Sequence, residues 1–88
     1  MSANPIRVMV VDDSAYNRRI LTDMLEKSRD IEVVAKARNG EDALKKLYEF
    51  SPDVITLDLE MPGMDGFTFL RLVTQSRPLP VIVVSSRS

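Results

Sequence analysis

The sequence predicts an α/β domain built on an open, doubly wound parallel sheet with helices on both faces. Three observations predict it. Short β-branched runs alternate with helix-length amphipathic segments in the order β-α-β-α-β-α-β. Connections long enough to hold a helix make consecutive strands parallel and their crossovers right-handed. The runs themselves, such as 6–11 and 81–84, are nearly all apolar, as strands covered by helices on either side must be.

Ile6-Arg7-Val8-Met9-Val10-Val11 is the first strand, stopped by Asp12-Asp13-Ser14. Ser14 suits a helix N-cap, its hydroxyl accepting from an unpaired first-turn amide. Ile20, Leu21, Met24 and Leu25 then recur at helical spacing to about Ser28, with Arg18, Arg19, Asp23, Glu26 and Lys27 on the other side. Ile31 to Ala37 is the second strand, ended by the turn pair Asn39-Gly40. Glu41 and Asp42 open a second helix that continues with Lys45-Lys46, an order that suits the helix dipole. Its expected apolar stripe is Ala43, Leu44, Leu47 and Tyr48.

Asp53 to Asp58 is the third strand, and Leu59 to Gly66 a loop rich in Pro and Gly. Asp65 is placed to cap a third helix carrying Phe67, Leu70 and Val73. Pro78-Leu79-Pro80 ends that helix, and Val81 to Val84 is a fourth strand closing at Ser85. No internal repeat or low-complexity tract interrupts the order.

Composition narrows the chemistry. Eighty-eight residues make one domain, near the low end of what folds alone. With no cysteine and no histidine, thiol nucleophiles, imidazole bases and zinc sites of those ligands are excluded. Twelve basic against thirteen acidic residues leave a net charge of −1, so nothing in the balance calls for nucleic acid or an anionic membrane. No apolar run approaches the roughly 18 residues of a membrane span, and the start lacks a signal-peptide pattern. The expectation is a cytoplasmic protein whose chemistry runs on carboxylates, hydroxyls, lysines or arginines.

In open parallel sheets the site lies at the carboxyl ends of the strands. That rule selects Asp12-Asp13, Ala37-Arg38, Asp58 and Ser85-Ser86. If the first and third strands are adjacent, three carboxylates meet. At about 5 Å and an effective dielectric of about 20, each ionised pair repels by about 3 kcal/mol. Either one acid is protonated or a hard cation sits among them, and an all-oxygen set suits Mg²⁺. Asp58 ends a rigid apolar strand, a position from which a carboxylate can act as a nucleophile toward phosphorus. Ser85 could offer its hydroxyl to a phosphoryl oxygen. Any one of these aspartates alone reads as readily as a cap or strand terminator. Their coincidence at one end of the sheet is what points to a site.

These pieces carry a resemblance. Val10-Val11-Asp12-Asp13-Ser14, Asn39-Gly40-Glu41-Asp42-Ala43, Pro52 to Asp58, Met61-Pro62-Gly63-Met64-Asp65-Gly66 and Pro80 to Ser85 resemble the receiver domain of two-component response regulators, in order and spacing. Asp58 to Pro62 and Val84-Ser85-Ser86 are most similar to receivers of chemotaxis protein-glutamate methylesterases. The resemblance implies a flavodoxin-like receiver fold over 1–88 and an aspartyl phosphate at Asp58, taken from a histidine kinase. It further implies Mg²⁺ held by Asp13 directly, by Asp12 through a water, by Asp58 and by the backbone carbonyl of Glu60. Ser85 matches the switch hydroxyl that turns toward the phosphoryl group.

A complete receiver continues through a helix, a strand and a last helix, roughly 35 residues at ordinary element lengths. The sequence is therefore expected to be a receiver truncated after the fourth strand, without the family's phosphate-pairing lysine or any output domain. Lys45 and Lys46 read as a solvated face. Val81 to Val84 becomes an open apolar edge, so a homo-oligomer through it is expected. Apolar side chains of the inner strands, such as Val8, Val10, Ile55 or Leu57, are expected to be uncovered. Two other readings compete. A haloacid dehalogenase-type phosphatase would use Asp58, Glu60 and Ser85 but leaves Asp12-Asp13 unexplained. A non-signalling structural fragment of a receiver would fold without function.

Overall fold

The computed structural model describes residues 4–59, 66–76 and 78–84. Four parallel strands, β1 (Ile6–Val11), β2 (Ile31–Ala37), β3 (Val54–Leu57) and β4 (Val81–Val83), form one sheet in the order β2-β1-β3-β4. The helices are α1 (Ala15–Leu25), α2 (Gly40–Phe50) and α3 (Gly66–Ser76). The predicted order of elements holds throughout. β1 pairs with β3 from Val8–Val54 to Val11–Leu57, and β3 continues the same register onto β4. A shift between Val8 and Met9 inserts Val34 as an extra residue in β2.

Strand alternation divides the side chains between two layers. Met9, Val11, Ile55 and Leu57 point to one face, where Ala43 and Leu47 of α2 and Phe69 and Val73 of α3 complete the core. Val8, Val10 and Thr56, one residue out of phase, face the α1 side and are also buried. The expectation that Val8, Val10, Ile55 and Leu57 would be uncovered is therefore corrected. The α2–α3 layer covers the last two, and the first two lie in the interior strand beneath α1. Exposed apolar side chains include Ile20 and Met24 of α1 and Ile82, Val83 and Val84 at the β4 edge.

Several local expectations are also revised. α1 ends at Leu25 rather than near Ser28, capped by Glu26 with its N–H on the Thr22 and Met24 carbonyls. Its one buried residue is Thr22; of the expected stripe Leu21 and Leu25 are half-buried, while Ile20 and Met24 are exposed. Tyr48 is 72% exposed, off the α2 stripe, and Phe67 is exposed while Phe69 is fully buried. The Asp65 cap lies outside the described residues. Ser14 does cap its helix, accepting from Asn17 N–H at 3.2 Å, and Asn39, read only as part of a turn, caps α2 by accepting from Asp42 N–H at 2.8 Å.

At the far end of α2, Ser51 adopts the left-handed conformation (φ 48°) that a side chain with a β-carbon disfavours. Arg7 compensates from β1. Its guanidinium donates to the carbonyls of Ser51 (2.7 Å) and Phe50 (2.6 Å), and its N–H donates to Asp53 Oδ2 (2.9 Å). The charge sits where the helix dipole is negative. One charged residue in an apolar strand thus pins the helix end and the β3 approach together.

Candidate functional site

The carboxyl ends of β1 and β3 are neighbours, so the residues just past them meet. Each extends the ladder by one bond: Asp12 N–H donates to Ala37 O (3.0 Å), Asp58 N–H to Val11 O (3.0 Å) and Val84 N–H to Leu57 O (2.9 Å). These bonds fix the backbones of Asp12 and Asp58 on the rigid sheet rather than on a free loop.

Asp12 is held at three points. Besides its own amide, its Oδ1 accepts from Ser14 N–H at 2.9 Å, and its carbonyl accepts from the Arg18 guanidinium at 2.7 Å. The Ser14 turn also starts α1, so the positive end of that helix's dipole lies beside the acids.

Asp12, Asp13 and Asp58 come together. Each contributes a carboxylate oxygen to a set lying within 4.8 Å of one another. Asp12 and Asp58 are buried, at 8% and 4% exposure, while Asp13 opens to solvent. Burial pushes the Asp12 carboxyl above its ordinary range, and the charges of Asp58 and Asp13 add to that; the Ser14 N–H and Arg18 oppose it. Such a cluster disfavours its own full ionisation. Direct ligands at about 2.1 Å from one small cation lie at most about 4.2 Å apart, so oxygens within 4.8 Å suit such an ion with one of the three reaching it through water.

Of the residues singled out in the sequence, the structure thus gathers Asp12, Asp13 and Asp58. Glu60 and Ser85 lie outside the described residues. Arg38 follows β2 next to Asp12, but its side chain is exposed and outside the carboxylate set. Sequence reasoning missed Arg18, placed with the solvated face of α1. Its signal was available: it lies one helical turn after the Ser14 cap, and so is within reach of the strand end.

Residues 8–88 match the response regulator receiver domain family. The chain belongs to this family. It is 55% identical over 83 residues to a protein-glutamate methylesterase/protein-glutamine glutaminase of Geobacter sulfurreducens, covering 94% of this chain and 22% of that protein. Among solved structures, it is similar to the response regulator domain of Thermotoga maritima CheB (TM-score 0.90, 46% identity), over 94% of this chain and 62% of that one. It is also similar to a chain in the complex of the CheA3 P1 domain with CheY6 from R. sphaeroides (TM-score 0.83, 40% identity), over 96% of this chain and 66% of that one.

Family membership sets aside the phosphatase reading, and the strand order agrees, because Asp58 follows the third strand rather than the first. Receiver domains are phosphoacceptor signalling modules rather than enzymes in themselves, and they bind Mg²⁺ at an acidic pocket. The similarity to methylesterases supports a chemotaxis context. No helix among the described residues is long and apolar enough to cross a membrane.

Proposed function

We propose that Asp58 accepts a phosphoryl group from the phosphohistidine of a histidine kinase, and that the resulting charge switches the surrounding loops. The observation that carries this reading is the buried Asp58 carboxylate set within 4.8 Å of Asp12 and Asp13 oxygens at the carboxyl ends of adjacent strands. One Asp58 oxygen attacks phosphorus as the phosphorus–nitrogen bond to the donor imidazole breaks, and the imidazole leaves with its electron pair and takes up a proton. Asp13, Asp12 through a water, Asp58 and the Glu60 carbonyl are the groups assigned to Mg²⁺. Mg²⁺, when bound, neutralises charge on the phosphoryl oxygens.

The chain's own groups set the stage for that transfer. The ladder bond from the Asp58 amide holds the nucleophile on the sheet, and the Ser14 and Arg18 contacts hold Asp12. Ser85 is assigned the switch hydroxyl, which gains a hydrogen bond to the new dianion in one loop arrangement and not in the other. Residues 1–88 are read as one receiver unit through its fourth strand, serving an output domain in the parent protein, with methylesterase chemistry there and not in this unit. The open β4 edge is assigned to a second copy of the chain.

The test is incubation with acetyl phosphate and Mg²⁺, followed by intact-mass and peptide analysis. One phosphoryl group, labile to hydroxylamine and absent from Asp58→Asn, is expected. Labelling of a serine with Asp58 unmodified overturns the assignment. An aryl phosphate cycled many times per chain would revive the phosphatase reading.

A further inference from the structure

The outer face around β2 gathers more positive charge than its internal partners, Asp42 for Lys46 and Arg38 and Asp12 for Arg18, offset. Three adjoining shallow depressions cross it. One is lined by Arg18, Arg19 and Lys36, the next by Arg18, Lys36, Arg38 and Lys46, and the third by Arg38 and Lys45 with the N-terminal turn of α2. Shared residues make them continuous. Six of the chain's twelve basic residues lie here, in a protein of net charge −1. The lining carboxylates are Asp23, Glu41 and Asp42, and Asp42 is already paired with Lys46 at 3.2 Å. The side chains of Arg19, Lys36, Arg38 and Lys45 are exposed, and none makes a hydrogen bond or ion pair with the described residues. The solvated face expected at Lys45 and Lys46 is one end of this apron.

We infer that this basic apron is a docking face for an acidic protein surface, seated beside the carboxylate cluster. Two links tie it to that cluster: the Arg18 guanidinium on the Asp12 carbonyl, and the Asp12 amide on Ala37, which places Arg38 next to Asp12. The location rests on the phosphoacceptor reading of Asp58. An anionic donor approaching three carboxylates is repelled, and a positive field alongside offsets that repulsion and raises the encounter rate. The chemistry favours protein over nucleic acid. Asp23 and Glu41 interrupt the positive surface and would repel a continuous phosphate backbone, and no aromatic side chain lines it for base stacking.

The test uses the 88-residue chain and a fluorescein-labelled polyglutamate peptide, read by anisotropy and by amide chemical shifts. The peptide should perturb residues 18–19, 36–38 and 45–46, and binding should weaken about tenfold between about 0.02 M and about 0.15 M ionic strength. The double variant Lys36→Glu/Arg38→Glu should weaken it about tenfold or more, and Lys36→Gln/Arg38→Gln by less, with unchanged circular dichroism. Acetyl phosphate should label Asp58 to the same final extent in all three forms, more slowly where charge is reversed, which separates failure of the docking face from failure of the phosphoacceptor reading. Perturbations centred elsewhere, equal affinity in the variants, equal affinity for a short DNA duplex, or the same shifts from inorganic phosphate would each overturn the proposal.

Discussion

Replacing Asp12 with asparagine should stabilise the metal-free chain while removing most of its response to Mg²⁺. The substitution is nearly isosteric, and an amide oxygen can keep the bond from Ser14 N–H, so charge is the main thing removed. At no more than 4.8 Å, Asp12 and Asp58 repel by about 3.5 kcal/mol at an effective dielectric of about 20. The exposed Asp13 adds nearer about 1 kcal/mol, because water screens it. The Arg18 guanidinium takes back part of this, leaving an expected gain of about 2 kcal/mol for the variant, against a total of about 5–15 for a small domain.

The pH dependence has the same origin. An acid whose folded-state pKa is raised favours the fold in its protonated form. The metal-free parent should therefore gain stability as pH falls from neutral through the raised Asp12 pKa towards its ordinary 3.8, and lose it again on the way up. The variant should lack that feature. Urea unfolding in EDTA and in Mg²⁺ reads all of this. At a Mg²⁺ concentration ten times its dissociation constant, the parent should gain about 1.4 kcal/mol and the variant much less. A loss of more than about 1 kcal/mol in EDTA, or an equal Mg²⁺ increment in both proteins, would refute the electrostatic account of the cluster.

Three other expectations test the frame around the site. Arg7→Ala removes two short charge-assisted bonds to the Phe50 and Ser51 carbonyls and should cost about 2 kcal/mol, or about 10 °C in Tm, by thermal unfolding. Ser51→Gly relaxes the left-handed cap, so it should be stabilising, and the Arg7→Ala cost should shrink in its background if Arg7 offsets that strain. Light scattering at micromolar concentration should show a dimer or larger assembly, and Ile82→Lys at the β4 edge should return it to monomer; a compact parent monomer would refute edge pairing.

The fold was legible because alternation and strand parity are carried by many residues at once. Seven elements in strict order leave few topologies, and Val54 to Asp58 cannot be placed anywhere but beside Ile6 to Val11 without leaving apolar faces open. The carboxylate cluster followed, because topology alone puts Asp12 and Asp58 at one end. Burial of particular helical positions was less legible. Tyr48 and Phe67 share a helical period with core residues but miss the contact arc by a fraction of a turn, and Phe69 takes the core place instead. Long-range bonds of single side chains were less legible still. Arg18 is only six residues from Asp12 and one turn past the Ser14 cap, so its reach could have been read, but that Arg7 meets the end of α2 depends on where that helix lies over the sheet, which no local pattern states.

The two edges of the sheet show how differently the same liability is handled. On the β2 side, Lys46 donates to the exposed Lys36 carbonyl, Glu26 Oε2 accepts from Val33 N–H, and the charges of Glu32 and Lys36 discourage another strand. That edge is closed to strand pairing and open to charge. On the β4 side, Val81 to Val84 carries no charged side chain, Ile82 is 54% exposed, and Val84 shares a depression with the uncovered Ile20 and Met24 of α1. Among the described residues no strand pairs with β4 on its far side, and its exposed side chains are apolar. The sheet therefore presents two chemically orthogonal surfaces flanking one carboxylate cluster. The two surfaces meet at Asp12, whose amide bonds to Ala37 of β2 and which also lines the apolar depression formed by Ile20, Met24 and Val84.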